Sequence, residues 1–166
     1  DSAMNRSYWS DQIILANGKD TQFLLPEFYP ENELSISKLQ MIRLKTQSIQ
    51  IKSNILTGLT IRRYGSFKSC PSYTQKPTNS HQKKLENLGI HILFKQASDG
   101  SIILGDSHTY QPAHHMSDFG FEVQQETNQL MLDEAKKIIK LESWELDSTW
   151  NGFYLQTHTD DVYLKT

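Results

Sequence analysis

The pair Asp99-Gly100 lies between two apolar runs, Ile90-His91-Ile92-Leu93-Phe94 and Ile102-Ile103-Leu104. An Asp-Gly pair so flanked is a strong hairpin signal, because a type I′ turn needs positive φ at both central positions. It commits the stretch from Gly89 to His108 to two antiparallel strands, and the chain to a sheet. A two-residue loop pairs Ser98 with Ser101. Continued outward, that register puts His91 opposite His108 and Leu93 opposite Asp106. His91, Asp106 and His108 then project from one face. A bulge at Gly105 breaks this register, so the pairing is conditional on its absence.

Other segments fit the same picture. Residues 1–9 are polar and irregular. Gln12-Ile13-Ile14-Leu15-Ala16, closed by Asn17-Gly18, reads as a strand buried on both faces and ending in a turn. Phe23 to Leu34 holds two prolines among aromatics, which predicts one helical turn and a loop. Ile36 to Leu44 is a strand with Lys38, Gln40 and Ile42 on one face and Leu39, Met41 and Arg43 on the other. Ile55 to Tyr64 reads as a second strand, with Arg62 and Tyr64 on one face and Arg63 on the opposite one. Gly65 to Thr78 is loop. Ser80 caps a helix to Leu88, with Gly89 as its stop.

Beyond the hairpin, Tyr110 to Phe119 is a polar loop containing His114 and His115. Residues 121–141 have helical period, with Asp118 as the cap. Trp144 to Thr149 and Trp150 to Gln156 are strands separated by a bend at Gly152, and Val162-Tyr163-Leu164 is a short terminal strand. A sheet with a few helices that do not alternate regularly is an α+β pattern.

Composition narrows the function. The 166 residues allow one domain or two small ones. A net charge of −2 and a pI near 6.3 argue against a nucleic-acid footprint. No apolar run approaches the roughly 18 residues of a membrane span, and no charged-then-apolar leader is present, so no membrane and a cytoplasmic location are expected. The single cysteine, Cys70, excludes an internal disulfide and fits a reducing compartment; with no activating neighbour it is read as structural. No two glycines are separated by one residue, so G-x-G-x-x-G is impossible, and G-x-x-x-x-G-K-[ST] is absent.

Eight segments occur in a telling order: IILANG (13–18), SKLQMIR (37–43), GLTIRRY (58–64), SCPS (69–72), GIHILF (89–94), LGDSHTY (104–110), LDEAKKII (132–139) and WNGFY (150–154). Together they resemble the FAD-dependent oxidoreductases of the D-amino-acid oxidase superfamily, which includes glycine oxidase and sarcosine oxidase. The resemblance is greatest to a branch associated with phosphonate metabolism, whose members read K-L-Q-M-x-R, G-I-H-V-M, L-G-D-S-H-x-Y and W-x-G-x-Y at these places. It runs from about Trp9 to Leu164. It implies a substrate-binding domain at 19–166, with a mixed, largely antiparallel sheet and helices packed on one face. Residues 1–18 would be linker and the end of a flavin-domain strand. The FAD-binding portion of the chain would be a missing partner, and these residues a fragment of a larger two-domain enzyme.

The implied reaction oxidises the C–N bond of a small amine, amino acid or aminophosphonate by hydride transfer to FAD; the fragment alone would be inactive and hold no FAD. The alternative is a standalone anion-binding or scaffold module. A homodimer through an unprotected sheet edge is open to either.

Candidate substrate residues are His91, His108 and Asp106, which either contact substrate or only close the hairpin. Gln40 can bond substrate or flavin, and Arg43 can pair with an anion. Alternation puts these two on opposite faces, so both cannot point at one substrate. The tandem Arg62-Arg63 before Tyr64 is a candidate for carboxylate or phosphonate; the two face opposite ways, so at most one reaches the substrate, Arg62 sharing the face of Tyr64, and the alternative is a surface charge pair. Tyr154 can line the pocket. Asn17, Gly18, Gln40, Trp150 and Gly152 are the implied flavin contacts. The branch often has His where Asn151 stands, which bears on the reaction. A metal needs a further ligand, such as His114 or His115; flavin oxidation needs none, so no metal is expected.

Overall fold

A computed structural model describes residues 7–20, 24, 26–30, 33–71, 73 and 79–159. The predicted strand Val162-Tyr163-Leu164 lies outside them. The architecture is α+β, as the sequence pattern predicts. Strands β1 (Leu34–Leu44), β2 (Ile55–Leu56), β3 (Leu93–Gln96), β4 (Ile102–Pro112) and β5 (Leu146–Thr157) form one sheet in the order β2-β3-β4-β1-β5. Each strand pair in it is antiparallel. Helices α1 (Gly58–Arg63), α2 (Ser80–Asn87) and α3 (Gln125–Lys136) complete the described elements, with 3-10 turns at Pro26–Phe28, Gly65–Ser69 and Met116–Phe119.

The long central strand β1 explains the layering. Its Ile42 and Leu44 join Phe94, Ile102 and Leu104 on one face, and these pack on Leu85 of α2 and on Met131, Leu132 and Ala135 of α3. Burying this apolar set is the main driving force for closing the helices on the sheet. Polar residues of the same β1 face do a second job. Lys38 Nζ donates to the carbonyls of Phe119, Gly120 and Glu122 at 3.0–3.1 Å. Gln40 accepts from the Gln124 N–H at 2.9 Å and donates to the Gln124 carbonyl at 2.8 Å and to Asn128 Oδ1 at 2.5 Å. These bonds tie residues 119–124, the end of a 3-10 turn and the irregular stretch after it, to β1. Helix α3 therefore starts at Gln125, four residues after the predicted 121, and its N-cap is Gln124 and not Asp118.

The hairpin forms, with a different turn. Ala97 N–H bonds the Ser101 carbonyl and Gly100 N–H bonds the Ala97 carbonyl, which makes a three-residue loop, Ser98-Asp99-Gly100. Gly100 takes φ +82, the left-handed position such a loop reserves for glycine. Leu93 consequently pairs with Gly105, not with Asp106. A second irregularity follows. Against β1, Gly105 faces Met41 and Ser107 faces Gln40, so Asp106 is an extra, bulged residue. His91 exchanges backbone bonds with Asp106, at 2.9 and 2.7 Å, and does not sit opposite His108.

Four further expectations change. The predicted strand 55–64 ends after Leu56: the Ile92 carbonyl accepts from the Thr57 N–H at 3.2 Å and from the buried Thr60 hydroxyl at 3.0 Å. Those two bonds turn the chain into α1. The two strands predicted for 144–156 are one strand. Gly152 does not bend it; it makes room for Leu39, whose Cδ1 would lie 2.8 Å from an added Cβ. The apolar run 12–16 is extended but unpaired among the described residues, with Ile13 77% and Ile14 90% exposed. Helix α2 is capped by Asn79 and Gln82 in a reciprocal capping box, one residue before the predicted Ser80. Gly89 stops it as predicted, at φ +56.

A Cβ at Gly89 would lie 2.6 Å from the His108 carbonyl oxygen. Gly89→Ala combines a left-handed φ with that collision, so it is expected to cost more than about 1 kcal/mol in urea unfolding. Gly58→Ala, which meets nothing within 4 Å, is the control and should leave the midpoint within about 0.5 kcal/mol of the parent.

Candidate functional site

The bulge at Asp106 decides which side chains meet. Ile102 and Leu104 of β4 point to the helices. Strict alternation would send His108 the same way. One extra residue reverses the parity, so His108 pairs with Leu39 and Tyr110 with Ser37, on the opposite face. Tyr154 of β5 pairs with the same Ser37 from the other side. His91, just ahead of β3, is brought in by its backbone exchange with Asp106.

The resulting cluster is tight. The His91 and His108 rings stack at 4.6 Å between centroids and 27° between planes. His91 Nδ1 is 2.8 Å from Asp106 Oδ1, and His108 Nε2 is 3.7 Å from Asp106 Oδ2. The 2.8 Å contact is an ion-pair distance without hydrogen-bond alignment: Asp106 Oδ1 has no hydrogen bond among the described residues. His108 Nε2 and the Tyr154 hydroxyl are 2.9 Å apart. Arg63, at the end of α1, donates to the hydroxyls of Tyr110 and, at 3.3 Å, Tyr154. His91 and His108 are 5% and 3% exposed, whereas Tyr110 is 45% exposed. The cluster runs from a buried imidazole pair to a cation and a tyrosine at the surface.

Charge follows burial. Desolvation pushes the His108 pKa down to about 4; Arg63 and His91 act in the same direction, and Asp106 opposes them. His108 is a neutral imidazole at pH 7. Burial also works against the Arg63 charge, but the hydroxyls of Tyr154 and Tyr110 outweigh it and hold the guanidinium above its ordinary pKa. A fixed cation, two phenols and a neutral ring nitrogen are a suitable set for an anionic molecule that also carries a donor.

The sequence-derived candidates divide. His91, Asp106, His108 and Tyr154 come together. Gln40 does not: it is buried against α3. Arg43 sits at the hairpin end, paired with Asp99 at 2.5 Å, bonded to Ser101 at 2.9 Å and 3.8 Å from Asp147. Arg62 and Tyr64 were expected to share a strand face, but the segment is helical. Arg62 lies 5.9 Å from the Tyr73 ring centroid, and Tyr64 is exposed. Arg63 replaces them. Asn17 accepts from the Tyr29 hydroxyl at 2.5 Å, next to Gly18 at φ +65 in a turn. Trp150 lies exposed opposite Met41 on the face that carries His108, with Gly152 opposite Leu39.

Asn151 points the other way. Its amide donates to the carbonyls of Phe121 and Glu122 at 2.7 and 3.2 Å, so it anchors the 119–124 lead and does not face the cluster. His114 bonds the Tyr29 carbonyl and His115 pairs with Asp118, both away from the cluster. Cys70 is exposed, just after the 3-10 turn Gly65–Ser69. Tyr110 was missed, although it was within reach of the sequence, two residues beyond His108 on one strand. The sequence marks Arg63 only as one of a tandem pair, and the strand reading of 55–64 favours Arg62 over it because Arg62 would share a face with Tyr64.

No family model, no curated protein and no solved structure matches this chain. Among the described residues, no helix is long and apolar enough to cross a membrane.

The His108 shift has a definite sign. The unfolded chain binds a proton at about pH 6.5 and the native state only near 4. Stability is therefore full above about 6.5 and falls as pH drops toward 4, by on the order of 3 kcal/mol. Urea midpoints measured across this window, with chelator present, are expected to decline for the parent. They should decline less for His108→Gln.

Proposed function

We propose that this chain is the substrate-side module of an FAD-dependent oxidoreductase that oxidises the C–N bond of a small amine, amino acid or aminophosphonate. The observation that carries the reading is the placement of Arg63, Tyr110, Tyr154 and neutral His108 on the sheet face opposite α2 and α3. Around them that face is apolar and half-buried, at Leu39, Met41, Leu93 and Ile103, with Trp150 exposed. Such a surface suits a partner that covers it. The exposed Trp9, Ile13 and Ile14 add apolar surface that a covering partner would bury. The ordered segments that resemble the oxidase superfamily give the partner its chemistry.

FAD fits this chain only in part. No G-x-G-x-x-G exists to cradle its pyrophosphate. Gln40 is engaged with α3 and Asn17 with Tyr29, which leaves Trp150 and Gly152 as a wall for the ring. The dinucleotide would be held by the FAD-binding portion, and the flavin supplies the electron chemistry when bound. This chain's own work is positioning. Arg63 fixes the substrate's anionic group, and Tyr110 and Tyr154 orient it, with the Tyr154 hydroxyl positioned by His108 Nε2 at 2.9 Å.

The same Arg63 site, working without a flavin, would make a standalone anion-binding module. Experiment separates the two readings. In a preparation that includes the FAD-binding portion, Arg63→Gln should raise KM for glycine or aminomethylphosphonate roughly ten- to a hundredfold at unchanged flavin content. An unchanged KM would remove Arg63 from substrate binding. The 166-residue chain alone should show no flavin absorbance. Tight anion binding by calorimetry, with no oxidation in any preparation, would favour the standalone module.

A further inference from the structure

His91, Asp106 and His108 come from the lead into β3, the bulge of β4 and the strand beyond it, and converge on one point. We propose that His91 Nδ1, an Asp106 carboxylate oxygen and His108 Nε2 form a binding site for one divalent transition-metal ion. The three ligand atoms lie within 4.8 Å of one another. Bonds of about 2.0–2.2 Å to nitrogen and oxygen set adjacent ligand atoms roughly 3–4 Å apart. The observed 2.8 Å from His91 Nδ1 to Asp106 Oδ1 lies just below that range, and the 3.7 Å from His108 Nε2 to Asp106 Oδ2 lies within it.

Burial strengthens the assignment. The side chains of His91, Asp106 and His108 are 6%, 13% and 2% exposed. A carboxylate oxygen that is buried without a hydrogen bond is costly, and the nearby ring nitrogen is not aligned to relieve it. A dication beside that oxygen answers both the charge and the missing partner. Two imidazoles and a carboxylate select zinc, iron, cobalt or nickel over calcium and magnesium, which take oxygen ligands. Three protein ligands leave at least one position for water or a bound molecule. The Tyr154 hydroxyl, 2.9 Å from His108 Nε2, would give up that contact to the ion, since both use the ring nitrogen's one lone pair. The site needs neither His114 nor His115 and does not depend on the flavin reading.

The test is zinc and cobalt titration of the chelator-stripped protein. One equivalent of Zn2+ should bind by calorimetry, and Co2+ should give visible d–d absorption at the same stoichiometry. Asp106→Asn should weaken binding at least roughly tenfold. His81→Ala, which removes an exposed histidine paired with Glu134, should leave it unchanged. Histidine ring 15N signals of the parent protein give a readout that needs no variant to fold. Zn2+ should shift those of His91 and His108 and spare His81 and His115. Absence of stoichiometric binding would overturn the proposal, as would binding that survives Asp106→Asn or shifts only His81 or His115.

Discussion

One extra residue in β4 governs the molecule's chemistry. Opposite Gln40 and Met41, strand β4 carries Gly105, Asp106 and Ser107 where a regular ladder would need one residue fewer. Before the bulge, alternate residues build the core through Ile102 and Leu104. After it, the alternation is reversed and His108 and Tyr110 stand on the opposite face. The same strand therefore closes a hydrophobic layer at one end and presents a polar cluster at the other. The bulged residue does not dangle: its backbone is paired with His91 and its carboxylate lies between two imidazoles.

Burial gives this cluster a gradient. The imidazole pair is closed off, and desolvation keeps His108 uncharged. Toward the surface the tyrosine hydroxyls link it to Arg63, whose charged form they stabilise by accepting hydrogen bonds from its N–H groups. A bound molecule meeting Arg63 first would reach the neutral ring next. The geometry orders the cluster by charge, from Arg63 outside to the neutral His108 within.

The hairpin, the long strand β1, α3 and the stop at Gly89 were legible in the sequence because each rests on local patterning. The turn at Asp99-Gly100 was legible as a turn but not as a loop length, since Asp-Gly suits both a two-residue loop and a three-residue loop closed by glycine. The single-residue difference changed every cross-strand partner. His91, Asp106 and His108 still met, because a second slip at the bulge followed the first. Arg62, Tyr64 and Gln40 were misplaced for tertiary reasons. The Thr60 hydroxyl bond to Ile92 turns a strand-like segment into α1, and Gln40 is drawn to the start of α3 by groups 84 and 88 residues away.

The lead into α3 shows a different economy. Lys38, Gln40 and Asn151, from two neighbouring strands, hold residues 119–124 almost wholly through main-chain groups. Main-chain atoms are common to every amino acid. The path of this stretch thus depends on residue identity mainly at Gly120, at φ +57, and at Phe119 and Phe121, whose rings pack on Phe153. Its length is not free, because a single insertion or deletion would misalign the whole row of bonds.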